Sequence, residues 1–350
     1  MSALRFAIAG TGMIARYHAE AIARTPGAEL VAVCRSAPAK AAEATTLFGV
    51  PCASSYDALV VRADVDAVCI CTPSGLHAEQ TIIAARAGKH VLVEKPMALA
   101  PADAGAAIAA CREAGVTLGV ALQRRTDPRF RAIRDTIAGG GLGRMVLGTV
   151  SVPYFRPQEY YDSAAWRGTW ALDGGGALMN QGIHLVDLLL WCLGDVQEVR
   201  AHATTLAHDI EVEDCVTASL VFASGALGTI SATTAASPGY PHRIEVYGDQ
   251  GGIQIEGETV VRAVSSRPGS EVIAGLVDDA GATSISAGAG ASPTGISTEG
   301  HVRLVTDFVD AIRENRPPVV PGEEGRRALA LVYAIYESVR TGRPVALSTF

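Results

Sequence analysis

The stretch Leu4-Arg5-Phe6-Ala7-Ile8-Ala9-Gly10-Thr11-Gly12-Met13-Ile14-Ala15 decides the fold. Its first six residues form a mostly apolar run of strand length. Glycine follows at once, and a helical pattern runs from about Ile14 to Arg24. Strand, G-x-G-x-x-A turn and helix in that order read as the phosphate-binding start of a dinucleotide fold. Gly10 permits the tight turn, Gly12 lets the backbone approach a pyrophosphate at the helix N-terminus, and Ala15 lets helix pack closely on strand. Gly10, Thr11, Gly12, Met13 and Ile14 are therefore the first candidate cofactor-binding residues.

Outward from this turn, strand-like and helix-like runs alternate. Strands are read at Glu29 to Cys34, Asp66 to Cys71, His90 to Glu94 and Thr117 to Ala121. Helices are read at Pro38 to Phe48, Tyr56 to Arg62, His77 to Ala87 and Pro101 to Ala114. That alternation means βαβ units and a parallel sheet. Runs such as Val91-Leu92-Val93 are apolar without interruption, as in strands covered on both faces. The expected first domain is residues 1–122, a doubly wound α/β unit.

Open α/β sheets bind ligands at the carboxyl ends of their strands, so the residues just beyond each strand matter. After the second come Arg35 and Ser36. A guanidinium there pairs with a 2′-phosphate, which predicts NADP(H) in preference to NAD(H), the alternative. After the third come Thr72 and Pro73, with His77 opening the next helix beside the cofactor. After the fourth comes Glu94-Lys95-Pro96. An X-Pro bond makes a cis peptide accessible at about 0.5–1 kcal/mol, and a cis Lys95-Pro96 bond is expected.

The pattern changes at Gln123, where the second domain, 123–350, is expected to begin. A polar connector includes Gln123 and Arg124. A helix is read from Arg129 to Ala138 and a strand from Val146 to Pro153. The segment from Tyr154 to Gly176 is long, irregular and rich in Arg156, Tyr160, Tyr161, Trp166 and Arg167. Such stretches inside a domain are commonly functional. Gly174-Gly175-Gly176 releases an apolar helix from Ala177 to Leu193, on which Asn180, His184 and Asp187 share one face. Polar residues around a histidine on a buried helix make a satisfied network or an active site. Beside a dinucleotide domain the active site is the favoured reading.

Runs from Val196 to His208, Asp214 to Phe222, Ala226 to Thr234, Arg243 to Gly248, Gly252 to Ile255 and Thr259 to Val264 imply a mainly antiparallel sheet. Pro268 to Gly300, rich in glycine, alanine and serine, reads as a variable surface excursion. Two helices, His301 to Glu314 and Glu324 to Thr341, close the chain, on the sheet or back against the first domain.

Composition excludes several classes. The net charge is −7, with 49% hydrophobic and 19% charged residues in 350, so the chain is globular. No basic cluster is present to bind nucleic acid. No apolar run is long enough to span a bilayer, and the first strand begins too early to leave room for a signal peptide. The seven cysteines are odd in number and scattered. Cys69 and Cys71 alternate along a strand and make no metal clamp. Reduced thiols, a cytoplasmic location and no metal site are expected. A broad antiparallel sheet suggests a homodimer or homotetramer.

The turn Gly10 to Ala15, then Thr72-Pro73, Glu94-Lys95-Pro96, and the run from Gly174-Gly175-Gly176 through Asn180 and His184 to Asp187 together resemble the Gfo/Idh/MocA family. This is the family of glucose–fructose oxidoreductase and inositol dehydrogenase. The resemblance covers nearly the whole chain, including the closing Gly322-Glu323-Glu324-Gly325-Arg326. It implies a Rossmann domain followed by an α/β domain with an open antiparallel sheet, a nicotinamide cofactor, and sugars or cyclitols as substrates. The family's E-K-P lysine matches Lys95, and its catalytic histidine matches His184. The family commonly has an aspartate four residues before that histidine. Here it is Asn180, whose amide can hold a hydroxyl or a ring nitrogen but carries no charge to stabilise an imidazolium. The run Tyr160-Tyr161 to Trp166-Arg167-Gly168-Thr169-Trp170 resembles a subgroup that includes nucleotide-sugar 3-dehydrogenases.

The expected reaction is hydride transfer between the nicotinamide and a secondary ring hydroxyl or ketone of a sugar, cyclitol or sugar derivative, nucleotide sugars included. His184 is the expected general base, Lys95 the cation on the reacting oxygen, and Asn180 the residue that orients substrate. Glu94, Lys95, Trp166 and Arg167 join the cofactor contacts. Lys95, Gln123, Arg124, Arg156, Tyr161, Asn180 and His184 are the substrate contacts. Two other readings stay open: an NAD-dependent glycoside hydrolase of the same architecture, and a cofactor-binding regulatory protein without chemistry.

Overall fold

The computed structural model describes residues 2–35, 37–267, 275–277, 290 and 297–347. The chain divides into two compact units: Met1–Asp127 with Ser297–Leu329, and Pro128–Ile296 with Ala330–Phe350. Residues that come late in the sequence thus belong with the first unit. Ser36 and most of Pro268 to Gly300 lie outside the described residues.

In the first unit, β1 (Leu4–Ala9), β2 (Ala28–Cys34), β3 (Cys52–Ala53), β4 (Ala67–Ile70), β5 (His90–Val93) and β6 (Leu118–Val120) form one six-stranded sheet, in the order β3-β2-β1-β4-β5-β6. Every pairing is parallel. The strands are joined through α1 (Met13–Arg24), α2 (Ala41–Phe48), α3 (Tyr56–Val60), α4 (His77–Arg86) and α5 (Pro101–Ala114). All four residues of β4 are buried, which explains its unbroken apolar sequence. Register aligns Cys34, Ala9, Ile70, Val93 and Val120 in one row across the sheet. The next residues, Arg35, Gly10, Cys71, Glu94 and Ala121, therefore share the carboxyl edge. The strand order reverses at β1 and β4, the place where this fold class takes its ligand.

The second unit contains α6 (Pro128–Ala138), β7 (Met145–Pro153), α7 (Gln158–Asp162), α8 (Ile183–Leu193), β8 (Val196–Thr204), β9 (Cys215–Phe222), β10 (Leu227–Thr233), β11 (Arg243–Gly248), β12 (Gly251–Glu256) and β13 (Thr259–Ser265). With β14 (Val345–Ala346) the strands make an eight-stranded sheet, ordered β13-β12-β11-β7-β10-β9-β8-β14. The β7–β10 pair is parallel and the others are antiparallel. One face is apolar, with Val150, Val152, Ile230, Ala232, Ile244 and Val246 buried, and α8 packs against β7 and β11. A Cβ at Gly148 would stand 2.7 Å from Leu193 and 2.9 Å from Leu189, so the glycine sets how closely α8 approaches the sheet.

Two helices complete the chain. α9 (Glu299–Glu314) packs in the first unit, where Leu304, Val305, Phe308 and Val309 join the core formed by Phe6, Ile8, Ala15 and Ile22. The Phe6 and Phe308 rings lie 6.3 Å apart. α10 (Gly322–Thr341) begins in the first unit and ends in the second. Among the described residues no helix is long and apolar enough to cross a membrane.

The architecture is the one the sequence implied, a Rossmann-type parallel sheet and a second, mainly antiparallel sheet. Three local details differ. The apolar helix from Ala177 is not one α-helix: Ala177–Gly182 winds as a wider π-type turn, and α8 starts at Ile183. The stripe of Asn180, His184 and Asp187 is accordingly not regular. Asp187 is buried at 1%, while Asn180 and His184 are half-buried. The strand read as Val196 to His208 ends at Thr204, because the Asp214 carboxylate accepts the N–H groups of Leu206, Ala207 and His208 and pulls them out of the ladder. The two-residue strands β3 and β14 are too short to show any period.

Candidate active site

The first unit supplies a dinucleotide cradle. Gly10 has φ of 89°, a left-handed value, and a Cβ there would lie 2.4 Å from the Cys71 carbonyl oxygen. β1 and β4 are thus joined at the turn as closely as backbone allows, which only glycine permits. Gly12 caps α1. Among the described residues no side chain caps that end, no acidic residue stands in the first turn, and no atom beyond the turn itself lies within 4 Å of where a Gly12 Cβ would be. Uncapped amides facing open space suit a pyrophosphate, so these residues fit the group the motif implies. Ala15 is fully buried, as close helix-on-strand packing requires. Met13 is exposed and Ile14 half-buried.

Around this turn, Arg35 Nη1 donates to Thr11 Oγ1 at 3.1 Å. Thr72 Oγ1 donates to Gln80 Oε1 at 2.7 Å, and Pro73 lies beside it, half-buried. The Lys95-Pro96 bond is cis, and Lys95 is half-buried at the end of β5. Gln123 and Arg124 sit half-buried in a short 3-10 turn, Gln123–Thr126, just past β6.

Two residues of this edge face inward. His77 is 1% exposed, and both ring nitrogens meet carbonyl oxygens, Nδ1 at Pro96 (2.7 Å) and Nε2 at Thr72 (2.8 Å). Burial pushes its pKa down although both carbonyls favour the proton; a neutral ring donates to one of the two. His77 therefore braces the ends of β4 and β5 against each other. Glu94 accepts from His18 Nε2 at 2.7 Å and from the Lys95 N–H at 3.2 Å. Burial alone would raise its carboxyl. The hydrogen bond and charge of His18 outweigh burial, with His301 and Lys95 adding, and hold it at about 2. The His18, Glu94 and His301 ligand atoms lie within 4.8 Å of one another. At 2.7 Å, His18 and Glu94 are a buried hydrogen-bonded ion pair at the sheet edge.

The second unit carries the histidine. The helix start that bears it is held by Glu213, 4% exposed, whose carboxylate accepts from Gly176 N (2.8 Å), Leu178 N (3.0 Å) and the Tyr336 hydroxyl (2.8 Å). Burial raises the Glu213 pKa, while these donors oppose the rise. Four residues after Gly176, within the wide turn, Asn180 Nδ2 donates to Asp173 Oδ1 at 2.8 Å. Asp173 is 2% exposed, and its Oδ2 accepts from Gly168 N at 3.0 Å. His184 follows one turn on, half-buried in α8. The aromatic segment lies in the same unit. Arg167 stacks on Tyr160 and Trp166, 4.3 and 4.6 Å from the ring centres, and donates to the Tyr160 hydroxyl. Tyr161 is buried and shares a 2.8 Å hydrogen bond with Thr234. Arg156, 3% exposed, donates to the carbonyls of Phe155 and Gly290. Tyr161 and Arg156 thus support the segment from beneath.

Against this geometry, the model of the oxidoreductase family with an NAD-binding Rossmann fold matches residues 4–122, and that of the Gfo/Idh/MocA C-terminal domain matches residues 130–254. The chain belongs to the Gfo/Idh/MocA family. Curated members of the family include inositol 2-dehydrogenase of Rhizobium meliloti (strain 1021), 30% identical over 99% of both chains. The 1,5-anhydro-D-fructose reductase of Ensifer adhaerens is also 30% identical, over 99% of both. Among solved structures, the WlbA dehydrogenase of Bordetella pertussis, in complex with NADH and UDP-GlcNAcA, superposes with a TM-score of 0.87 at 36% identity, over 98% of each chain.

Reading motifs in a Gfo/Idh/MocA sequence finds Lys95 and His184, but not Asp173 or Glu213. Asp173 stands immediately before the three glycines, and this was its only visible mark. Nothing in a linear pattern pairs Glu213 with amides 35 and 37 residues earlier.

Proposed function

We propose that this oxidoreductase oxidises a secondary ring hydroxyl of a nucleotide sugar, or reduces the matching ketone. The observation that carries the reading is the end-to-end likeness to WlbA, whose structure holds NADH and UDP-GlcNAcA. When bound, the nicotinamide ring supplies the hydride acceptor or donor. His184 takes the hydroxyl proton as general base. Lys95 binds the reacting oxygen and stabilises the negative charge developing on it. Asn180 orients the sugar through its amide, and Gln123 and Arg124 add substrate contacts. The glycine turn, Arg35, Thr72, Pro73, Trp166 and Arg167 serve the coenzyme. The test is coenzyme reduction across nucleotide sugars, free sugars, cyclitols and sugar acids. Highest kcat/KM with a nucleotide sugar supports the reading; turnover confined to free polyols, or none at all, overturns it.

The preferred coenzyme in this reading is NADP(H). Arg35, hydrogen-bonded to Thr11, holds its guanidinium beside the glycine turn, where it meets a 2′-phosphate. A carboxylate in that place would pair with ribose hydroxyls instead. A charged hydrogen bond contributes about 1.5–3 kcal/mol, so Arg35→Asp shifts the ratio of kcat/KM for the two coenzymes toward NAD by roughly ten- to a hundredfold. Wild-type preference for NAD, or an unchanged ratio in the variant, would refute the assignment.

The proposal also places the protein in the cytoplasm as a homodimer or homotetramer. All seven cysteines are free thiols, which suits a reducing compartment. Register partners Leu147 and Leu227 stand exposed on the open sheet face and suit a partner subunit.

A further inference from the structure

The amide of Asn180 has a fixed direction, and Asp173 fixes it. A carboxylate only accepts hydrogen bonds. Asp173 Oδ1, 2.8 Å from Asn180 Nδ2, therefore admits the NH2 end of the amide and rejects the carbonyl end. The carboxylate itself cannot turn away. Its Oδ2 holds the Gly168 N–H, its own N–H donates to the Thr169 carbonyl at 3.1 Å, and it is 2% exposed. Gly168 is fixed in turn. It has φ of 70°, its carbonyl accepts from Glu211 and Val212, and a Cβ would lie 2.8 Å from Ile210. The rings of Tyr160 and Tyr161 also feel the Asp173 charge. In a buried setting a negative charge on the NH2 side polarises the amide and makes its oxygen a stronger acceptor.

We propose that Asp173 is a positioning residue for the reaction: it sets the Asn180 amide so that its oxygen, on the side away from Asp173, accepts a hydrogen bond from the sugar one helical turn from His184. This rests on the function proposed above. Asp173 touches neither sugar nor coenzyme in this proposal and acts on the reaction through Asn180.

The substitution Asp173→Asn separates orientation from structure. The new amide keeps the Gly168 hydrogen bond through its oxygen and offers its NH2 to residue 180. Asn180 can then keep its bond only by flipping, which turns its NH2 toward the sugar. The bonds to Gly168 and between residues 173 and 180 both survive while the acceptor becomes a donor. The double variant Asp173→Asn/Asn180→Asp restores an acceptor, since one oxygen of the new carboxylate takes the amide NH2 and the other faces the sugar.

The experiment measures kcat and KM with a nucleotide sugar, coenzyme affinity and the thermal midpoint for wild type, D173N and D173N/N180D. Asparagine occurs in the chain at 180 and 315 only, so [15N]Asn-labelled wild type shows two side-chain amide pairs. The pair absent from an N315Q sample's spectrum identifies Asn315, and the other reports directly on Asn180. D173N adds a third pair, from the introduced amide at position 173, and the pair of D173N that is lost in D173N/N180D is that of Asn180. Expected are a loss of roughly ten- to a hundredfold in kcat/KM for D173N, coenzyme affinity and thermal midpoint close to wild type, a displaced Asn180 amide signal, and recovery to within a few-fold in D173N/N180D. A D173N enzyme within twofold of wild type, or a double variant no better than D173N, overturns the inference alone. A wild type that reduces no coenzyme overturns the proposed function and this inference with it.

Discussion

Replacing His184 with alanine lowers kcat by about a hundredfold to ten-thousandfold, the range expected for a lost general base, with coenzyme affinity unchanged. The two readouts separate because the residues lie in different units. The dinucleotide turn, with Gly10 at φ 89° and an uncapped α1 N-terminus, is built within the first unit. His184 belongs to α8 of the second. His184 is half-buried, and the helix start that bears it is held by the Glu213 carboxylate through Gly176 and Leu178. Binding of coenzyme, followed by fluorescence of the reduced nicotinamide, and turnover measured on the same samples check both halves. Near-normal kcat in H184A would remove the base assignment. A collapse of coenzyme affinity would mean that the histidine serves the cradle instead.

Gly176→Ala destabilises the fold by about 3 kcal/mol or more, since overpacking a tight site costs about 1–3 kcal/mol and rigid backbone neighbours push it higher. The cause is lack of space. An added Cβ at Gly176 would stand 1.8 Å from the Glu213 carbonyl oxygen and 3.0 Å from Val212. That oxygen accepts the Ala177 N–H at 3.1 Å, and the Glu213 carboxylate holds Gly176 and Leu178. Moving it away breaks the contacts that hold the helix start. Thermal or urea unfolding reads the loss, and an unchanged midpoint would contradict the packing described. Because this turn carries Asn180, the variant also loses activity in proportion to the turn's displacement.

The contrast between these residues marks what a sequence discloses. The cradle was legible because its parts are consecutive: an apolar strand, two glycines and an alanine within one turn. The carboxyl edge was legible because parallel strands end together, and Arg35, Thr72 and Lys95 each follow one. His184 and Lys95 stood out through the order of four motifs. Asn180 was legible as a residue, but its partner was not. Asp173 lies seven residues earlier across three glycines, and no helical or strand period connects the two. The wide turn at Ala177–Gly182 was hidden for the same reason, being produced by Glu213 and Tyr336 from distant parts of the chain. Glu94 was legible as a residue at a strand end, but a motif does not give the direction of its side chain. Its partner His18 is 76 residues away. His77 likewise sits where expected, but burial between two carbonyls turns it into a brace.

The central claim is direct hydride transfer between a sugar ring carbon and the coenzyme. Wild-type protein incubated with oxidised coenzyme and a UDP-sugar deuterated at its ring carbons tests it most directly, with both products read by mass spectrometry. The account predicts that the reduced coenzyme carries the deuterium and that the sugar becomes a ketone at the same carbon. Coenzyme that stays oxidised, or deuterium that appears in water and not in the coenzyme, would contradict it.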